Sequence, residues 1–201
     1  EWIINREKVD AAFSSKIILS DEAHFRLDAF VDRQNCQVWG AEKPRAISEK
    51  QTHPRRVAVW CGFWTGGVIG PYFFEKEAGR AATVNGALYR DAITRFFLPK
   101  FDDIDAADTW FRRDDATCHA ANETIRLPHE TFPARILSRF GDQNWSCDLT
   151  PLDFFLRGYS KRKIYVDDPI TRALREEIKR YIDEIQPQLC RKVMKNFDGR
   201  I

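Results

Sequence analysis

Lys16-Ile17-Ile18-Leu19-Ser20-Asp21 decides how this chain folds. The apolar run Ile17-Ile18-Leu19 predicts a buried strand over 16–20, and it delivers an aspartate at its carboxyl end. A second run, Thr109-Trp110-Phe111, leads to Asp114 in the same manner. A third acid, Asp153, lies in Asp148-Leu149-Thr150-Pro151-Leu152-Asp153, where threonine as N-cap and proline at the first helical position predict a helix start. Two strand ends and one helix start are a means of bringing acids far apart in sequence into one pocket.

Outward from these stretches, the pattern alternates between strand and helix. Phe25, Leu27, Ala29 and Val31 alternate and predict a further extended piece. Residues 40–54 read as loop. Val57–Phe63 and Val68–Phe74, joined through Thr65-Gly66-Gly67, predict a hairpin. Asn85–Phe97 predicts a helix ending before Pro99, Thr109–Arg113 a strand, Ala116–Leu127 a helix and Ala134–Phe140 another strand. Beyond Asp168-Pro169 a helix places Ile170, Leu174, Ile178, Ile182 and Ile185 inward and Arg172, Arg175, Lys179 and Asp183 outward. Pro187–Phe197 closes the chain as a last helix. This order predicts an α/β fold: a mixed sheet of three antiparallel strands followed by parallel strands, flanked by helices. Ligands of such sheets bind at the carboxyl ends of parallel strands, where Asp21 and Asp114 are expected.

A chain of 201 residues supports one good core, and 43% hydrophobic content argues for a packed globule. The net charge of +2 does not announce a polyanionic partner, so local pairs such as Arg55-Arg56, Arg112-Arg113 and Lys161-Arg162-Lys163 must carry that argument; taken singly, each such pair reads as a solvated face. Five scattered cysteines without a CxxC pair argue against zinc and a disulfide framework. The uncharged run from Val57 to Phe74 is broken by four glycines and a proline, which favours the hairpin over a membrane span. Asp21-Glu22-Ala23-His24 spells a helicase box, yet no GxxxxGK[ST] loop accompanies it. Each aspartate also has a plain reading: Asp21 ends a strand, Asp114 caps the following helix, and Thr150-x-x-Asp153 is a capping box.

Three blocks together resemble a known family. Ser20-Asp21-Glu22-Ala23-His24-Phe25, Trp110-Phe111-Arg112-Arg113-Asp114-Asp115-Ala116-Thr117-Cys118-His119 and Asp148-Leu149-Thr150-Pro151-Leu152-Asp153-Phe154-Phe155-Leu156 look like the signature blocks of mariner-type transposases, in the Tc1/mariner group of DDE enzymes. The resemblance implies a ribonuclease-H-like catalytic domain that cuts and joins DNA with two Mg²⁺ or Mn²⁺ ions. It also implies a nuclear location, DNA ends and target DNA as partners, a homodimer, and neither a membrane nor a small-molecule substrate. The catalytic, metal-holding carboxylates match Asp21, Asp114 and Asp153. Residues 1–15 then correspond to a linker from an upstream DNA-binding region, 16–165 to the catalytic domain and 166–201 to a helical extension.

The chemistry agrees with these residue types. Two ions about 3.5–4 Å apart serve the attacking and leaving oxygens of an in-line phosphoryl displacement. Magnesium takes hard oxygen ligands and keeps several waters, so a few carboxylates suffice. Glu22, Asp115 and Asp148 are substitutes or outer partners, and His24 lies close by. His119 and Lys161-Arg162-Lys163 are candidates for contact with DNA phosphates. Several residues depart from the family pattern: Asp115 in place of glycine, Arg157 in place of an aromatic, Pro128 in or just past a helix, and a shortened stretch before Ser146. These departures suggest a decayed or repurposed copy, the alternative being a non-catalytic DNA-binding or interaction module.

Overall fold

The computed structural model describes residues 2–26, 56–76, 80–101, 108–114, 122–139, 141–145, 150–157 and 171–198. Among these residues six strands form one sheet in the order β4-β3-β2-β1-β5-β6. They are β1 (Ile17–Arg26), β2 (Arg56–Trp64), β3 (Gly67–Lys76), β4 (Arg80–Ala81), β5 (Trp110–Arg113) and β6 (Ile136–Leu137). The pairs β1–β2, β2–β3 and β3–β4 are antiparallel, and β1–β5 and β5–β6 are parallel. The mixed sheet expected from the sequence is therefore present.

Period-two alternation along β1 divides the core in two. Ile17, Leu19, Ala23 and Phe25 face one layer, while Ile18 faces the other. The first layer contains α1 (Trp2–Val9), α6 (Thr171–Asp183) and α7 (Pro187–Asp198). Ile3, Leu174, Ile178, Ile182, Val193 and Phe197 fill it. The second contains the helical run α2 (Gly86–Asp91), a π-helical segment (Ala92–Phe97) and α3 (Leu98–Phe101), with α4 (Asn122–Thr131) beside it. There Phe97, Phe101, Phe111 and Phe132 pack ring on ring, Phe111 and Phe132 nearly parallel with centroids 5.3 Å apart. Trp60 and Trp110 are core residues, Trp110 seated against Trp2 and Phe13. The stretch read from sequence as a linker, residues 1–15, includes α1 and the buried Phe13, both part of the first layer.

Several boundaries differ from the sequence expectation for local physical reasons. β1 does not end at Ser20 but continues to Arg26, because β2 pairs with it along its whole length, Arg26 facing Arg56. Residues 27–31 of the expected second piece lie outside the described residues. The helix begun by Asn85, whose side chain accepts the Leu88 N–H at 3.0 Å, runs on past Pro99 to Phe101. A π-helical segment immediately precedes that proline, which sits within the continuous helical run and removes one N–H from it. β6 holds two residues where seven were expected. The chain folds back after Leu137: Asp142 accepts the Ile136 N–H at 2.9 Å, and Gln143 bridges to Leu137. This return covers the edge of the short strand. Among the described residues no helix is long and apolar enough to cross a membrane, and Val57–Phe74 forms the β2–β3 hairpin.

Arg112 and Arg113 also differ from the solvated pair read in the sequence. Both are buried in β5, at 4% and 1% exposure. Arg175, expected outward, is half-buried, lies over the Phe73 ring and pairs with Glu75 at 2.7 Å.

Candidate metal centre

The parallel pairing of β1 and β5 stops at Ser20 opposite Arg113. β1 continues without its parallel neighbour, so Asp21 sits at the first position where that edge of the strand opens. Asp114 is the residue immediately beyond β5. The sequence reading put Asp21 at the end of its own strand; it sits instead within β1, at the carboxyl end of the neighbouring strand. The effect is the same crevice outside a parallel strand end, made by the shortness of β5.

Asp21, Glu22 and Asp114 offer carboxylate oxygens that all lie within 4.8 Å of one another. Asp21 and Glu22 are buried, and Asp114 is partly exposed. Successive residues of a strand face opposite sides of a sheet; the two neighbouring acids approach one point because both flank the edge that β5 leaves open. The Glu22 N–H donates to Asp21 Oδ1 at 2.7 Å and holds that carboxylate in place. Behind it lies Cys61, the residue facing Asp21 across the β1–β2 ladder. Burial, and then the charge of Asp21, push the Cys61 thiol far above its usual range. Ser20, on the other face, accepts the Trp60 indole N–H at 2.9 Å.

Asp153 is not in this group of mutually close oxygens. It lies in the first turn of α5, a wide π-type helix (Leu152–Arg157) that packs against β1 through Leu152 in the first core layer. Its Oδ2 accepts both the Thr150 N–H and the Thr150 hydroxyl at 2.9 Å. One carboxylate oxygen thus serves the capping box foreseen as the plain reading. His24 is exposed, three residues further along β1. Asp115, His119, Asp148 and Lys161-Arg162-Lys163 lie outside the described residues. Sequence reasoning named Glu22 only as a substitute; its place in the group depends on where β5 ends, which no local motif reports.

The donor set suits a hard divalent cation: all the atoms are carboxylate oxygens, with no thiol or imidazole among them. Mg²⁺ holds oxygens at about 2.1 Å, so opposite ligands stand about 4.2 Å apart. With three ligands some are adjacent, at about 3.0 Å, and oxygens within 4.8 Å of one another reach these spacings by side-chain shifts of about 1 Å.

Strand order, the mixed antiparallel and parallel pairing, and helices on both faces define the ribonuclease-H-like fold of transposase catalytic domains. The solved structures similar to it include several of Mos1, a mariner transposase. A Mos1 paired-end complex with left transposon end superposes with a TM-score of 0.72 at 16% identity, covering 99% of this chain and 56% of that one. The catalytic domain of Mos1 gives 0.66 at 15% identity, covering 99% and 84%. A Mos1 paired-end complex with Mg gives 0.70 at 15% identity, covering 99% and 57%. The chain therefore spans little more than half of the full-length Mos1 chains it matches. No family model and no curated protein matches the sequence.

Proposed function

We propose that this chain is the catalytic domain of a transposase, cutting and joining DNA strands by metal-assisted phosphoryl transfer. The observation that carries this reading is the meeting of Asp21, Glu22 and Asp114 at the open end of β5, within a fold shared with Mos1. Asp21 and Asp114 would hold Mg²⁺ or Mn²⁺, two ions in the working site, with Glu22 beside them and Asp153 approaching from α5 once DNA is bound. When bound, such ions supply charge stabilisation for the attacking and leaving oxygens of an in-line displacement. The chain's own part is positional. β1 and β5 hold two carboxylates on a rigid sheet, so little reorganisation is needed when a phosphate arrives. The Glu22 N–H fixes one rotamer of Asp21. The apolar layer behind, Leu19, Cys61 and Leu152, keeps water from the rear of the site.

His119 and Lys161-Arg162-Lys163 are proposed to follow the DNA backbone, which would make binding fall steeply with salt. A DNA substrate assigns the protein to the nucleus, and holding two DNA ends calls for two copies of the chain. A second reading, a transposase-derived module that binds DNA without cutting it, has an observation of its own: Asp153 caps its helix and is not in the group formed by the other three acids. Nicking of supercoiled DNA in Mg²⁺ or Mn²⁺ separates the two. The first reading expects nicks that disappear in Asp114→Ala; DNA binding without nicks in either protein would establish the second.

A further inference from the structure

Pro128 lies inside α4, where a proline ordinarily costs about 3 kcal/mol, in part because it deprives a carbonyl of its helical partner. The deprived carbonyl is that of Thr124, four residues earlier, and Thr124 is wholly buried. In this chain Arg113 Nη1 donates to that oxygen at 3.0 Å. Arg113 is itself 1% exposed, at the last position of β5 and adjacent to Asp114. A guanidinium in the core and a proline in a helix, each unfavourable alone, account for one another. Thr124 is bonded a second time: its hydroxyl accepts from Arg90 Nη1 of α2 at 3.0 Å, and Arg90 Nη2 pairs with Glu123 at 3.2 Å. The end of β5 is thereby tied through α4 to α2.

We infer that Arg113 is a positioning residue of the metal centre, fixing the end of β5, and with it the Asp114 carboxylate, to α4 through the carbonyl that Pro128 releases. The link makes Pro128 part of the site's scaffold and not a lesion. Its consequence for metal binding rests on the proposed function; the link between Arg113 and Pro128 does not.

The test compares the full chain with Arg113→Met, Pro128→Ala, the double variant and Arg113→Lys, by urea unfolding and by Mn²⁺ titration calorimetry. Losing a hydrogen bond from a charged donor to a buried carbonyl raises the unfolding constant about 10- to 100-fold. Arg113→Met should show that loss beside Pro128, and a several-fold smaller one in the double variant, where residue 128 again supplies an N–H to Thr124. Mn²⁺ affinity should fall about 10-fold or more in both Arg113→Met backgrounds, because the tie between β5 and α4 is absent from each. Arg113→Lys, which keeps a donor, should retain most of both properties. Equal stability losses in the two backgrounds would overturn the link. Unchanged or tighter Mn²⁺ binding in Arg113→Met would overturn the positioning role, tighter binding being what simple removal of a nearby positive charge produces. A parent chain that binds no Mn²⁺ refutes the proposed function and the positioning role together, and the unfolding data then judge the link alone.

Discussion

Asp153 caps its helix and is proposed to approach the metal, and substitution separates the two. Its Oδ2 receives the Thr150 N–H and hydroxyl at 2.9 Å each, and Thr150 is fully buried. Asp153→Ala removes the acceptor and strands both donors away from water. Loss of a cap costs about 1 kcal/mol, and a stranded buried donor adds about 1–3 kcal/mol. A total near 2–4 kcal/mol corresponds to a fall in melting temperature of roughly 4–16 °C for a chain of this size. Asp153→Asn keeps an oxygen in place with no charge, so its fall should stay below about 3 °C. If Asp153 also approaches the metal, the same Asn variant loses much of the stabilisation that Mn²⁺ confers, which is about 2.7 kcal/mol at a hundredfold excess over Kd. Differential scanning calorimetry in EDTA and in Mn²⁺ measures both effects. Equal melting temperatures for the Ala and Asn variants in EDTA would refute the capping argument. An undiminished Mn²⁺ shift in Asp153→Asn would remove Asp153 from the centre.

Two further outcomes follow from packing and burial. Phe132 contacts Phe97, Phe101 and Phe111 and is fully buried, so Phe132→Ala should cost about 3–5 kcal/mol, read as a lower midpoint in urea with little change in slope. Burial and the neighbouring Asp21 raise the Cys61 thiol, so it stays protonated in the folded chain while the unfolded thiol ionises above about pH 8.5. The unfolded state then binds fewer protons, and Cys61 makes stability decline as pH rises past that value. Alkylation of Cys61 at pH 8–9 should proceed only as fast as the chain opens; labelling at the rate of an exposed thiol would contradict this.

The fold was legible because its signals were periodic and local. The apolar run at Ile17–Leu19, the glycines between β2 and β3, and the spacing of Leu174, Ile178 and Ile182 each determine an element from neighbours in sequence. Strand ends were less legible, since they depend on partners: β1 continues past Asp21 because β2 pairs with it there, and β6 stops early because the chain turns back after Leu137, the Gly141 N–H donating to the Ser138 carbonyl. Of the candidate site, Asp21 and Asp114 were readable as acids following apolar runs, and the structure brings them together. Glu22 joins them for a reason invisible to a motif, the four-residue length of β5. Arg113 escaped notice because a basic pair ordinarily marks a wet surface. Its clue lay fifteen residues on, in a proline whose missing N–H demanded a donor from elsewhere.

Asp21 and Asp114 are proposed to hold a divalent cation jointly at the open end of β5. Anomalous diffraction from a crystal soaked in Mn²⁺ tests it directly. The expected result is a peak with oxygens of both aspartates at about 2.1 Å, lost in crystals of Asp114→Asn. A peak held elsewhere, or none at millimolar Mn²⁺, would contradict it.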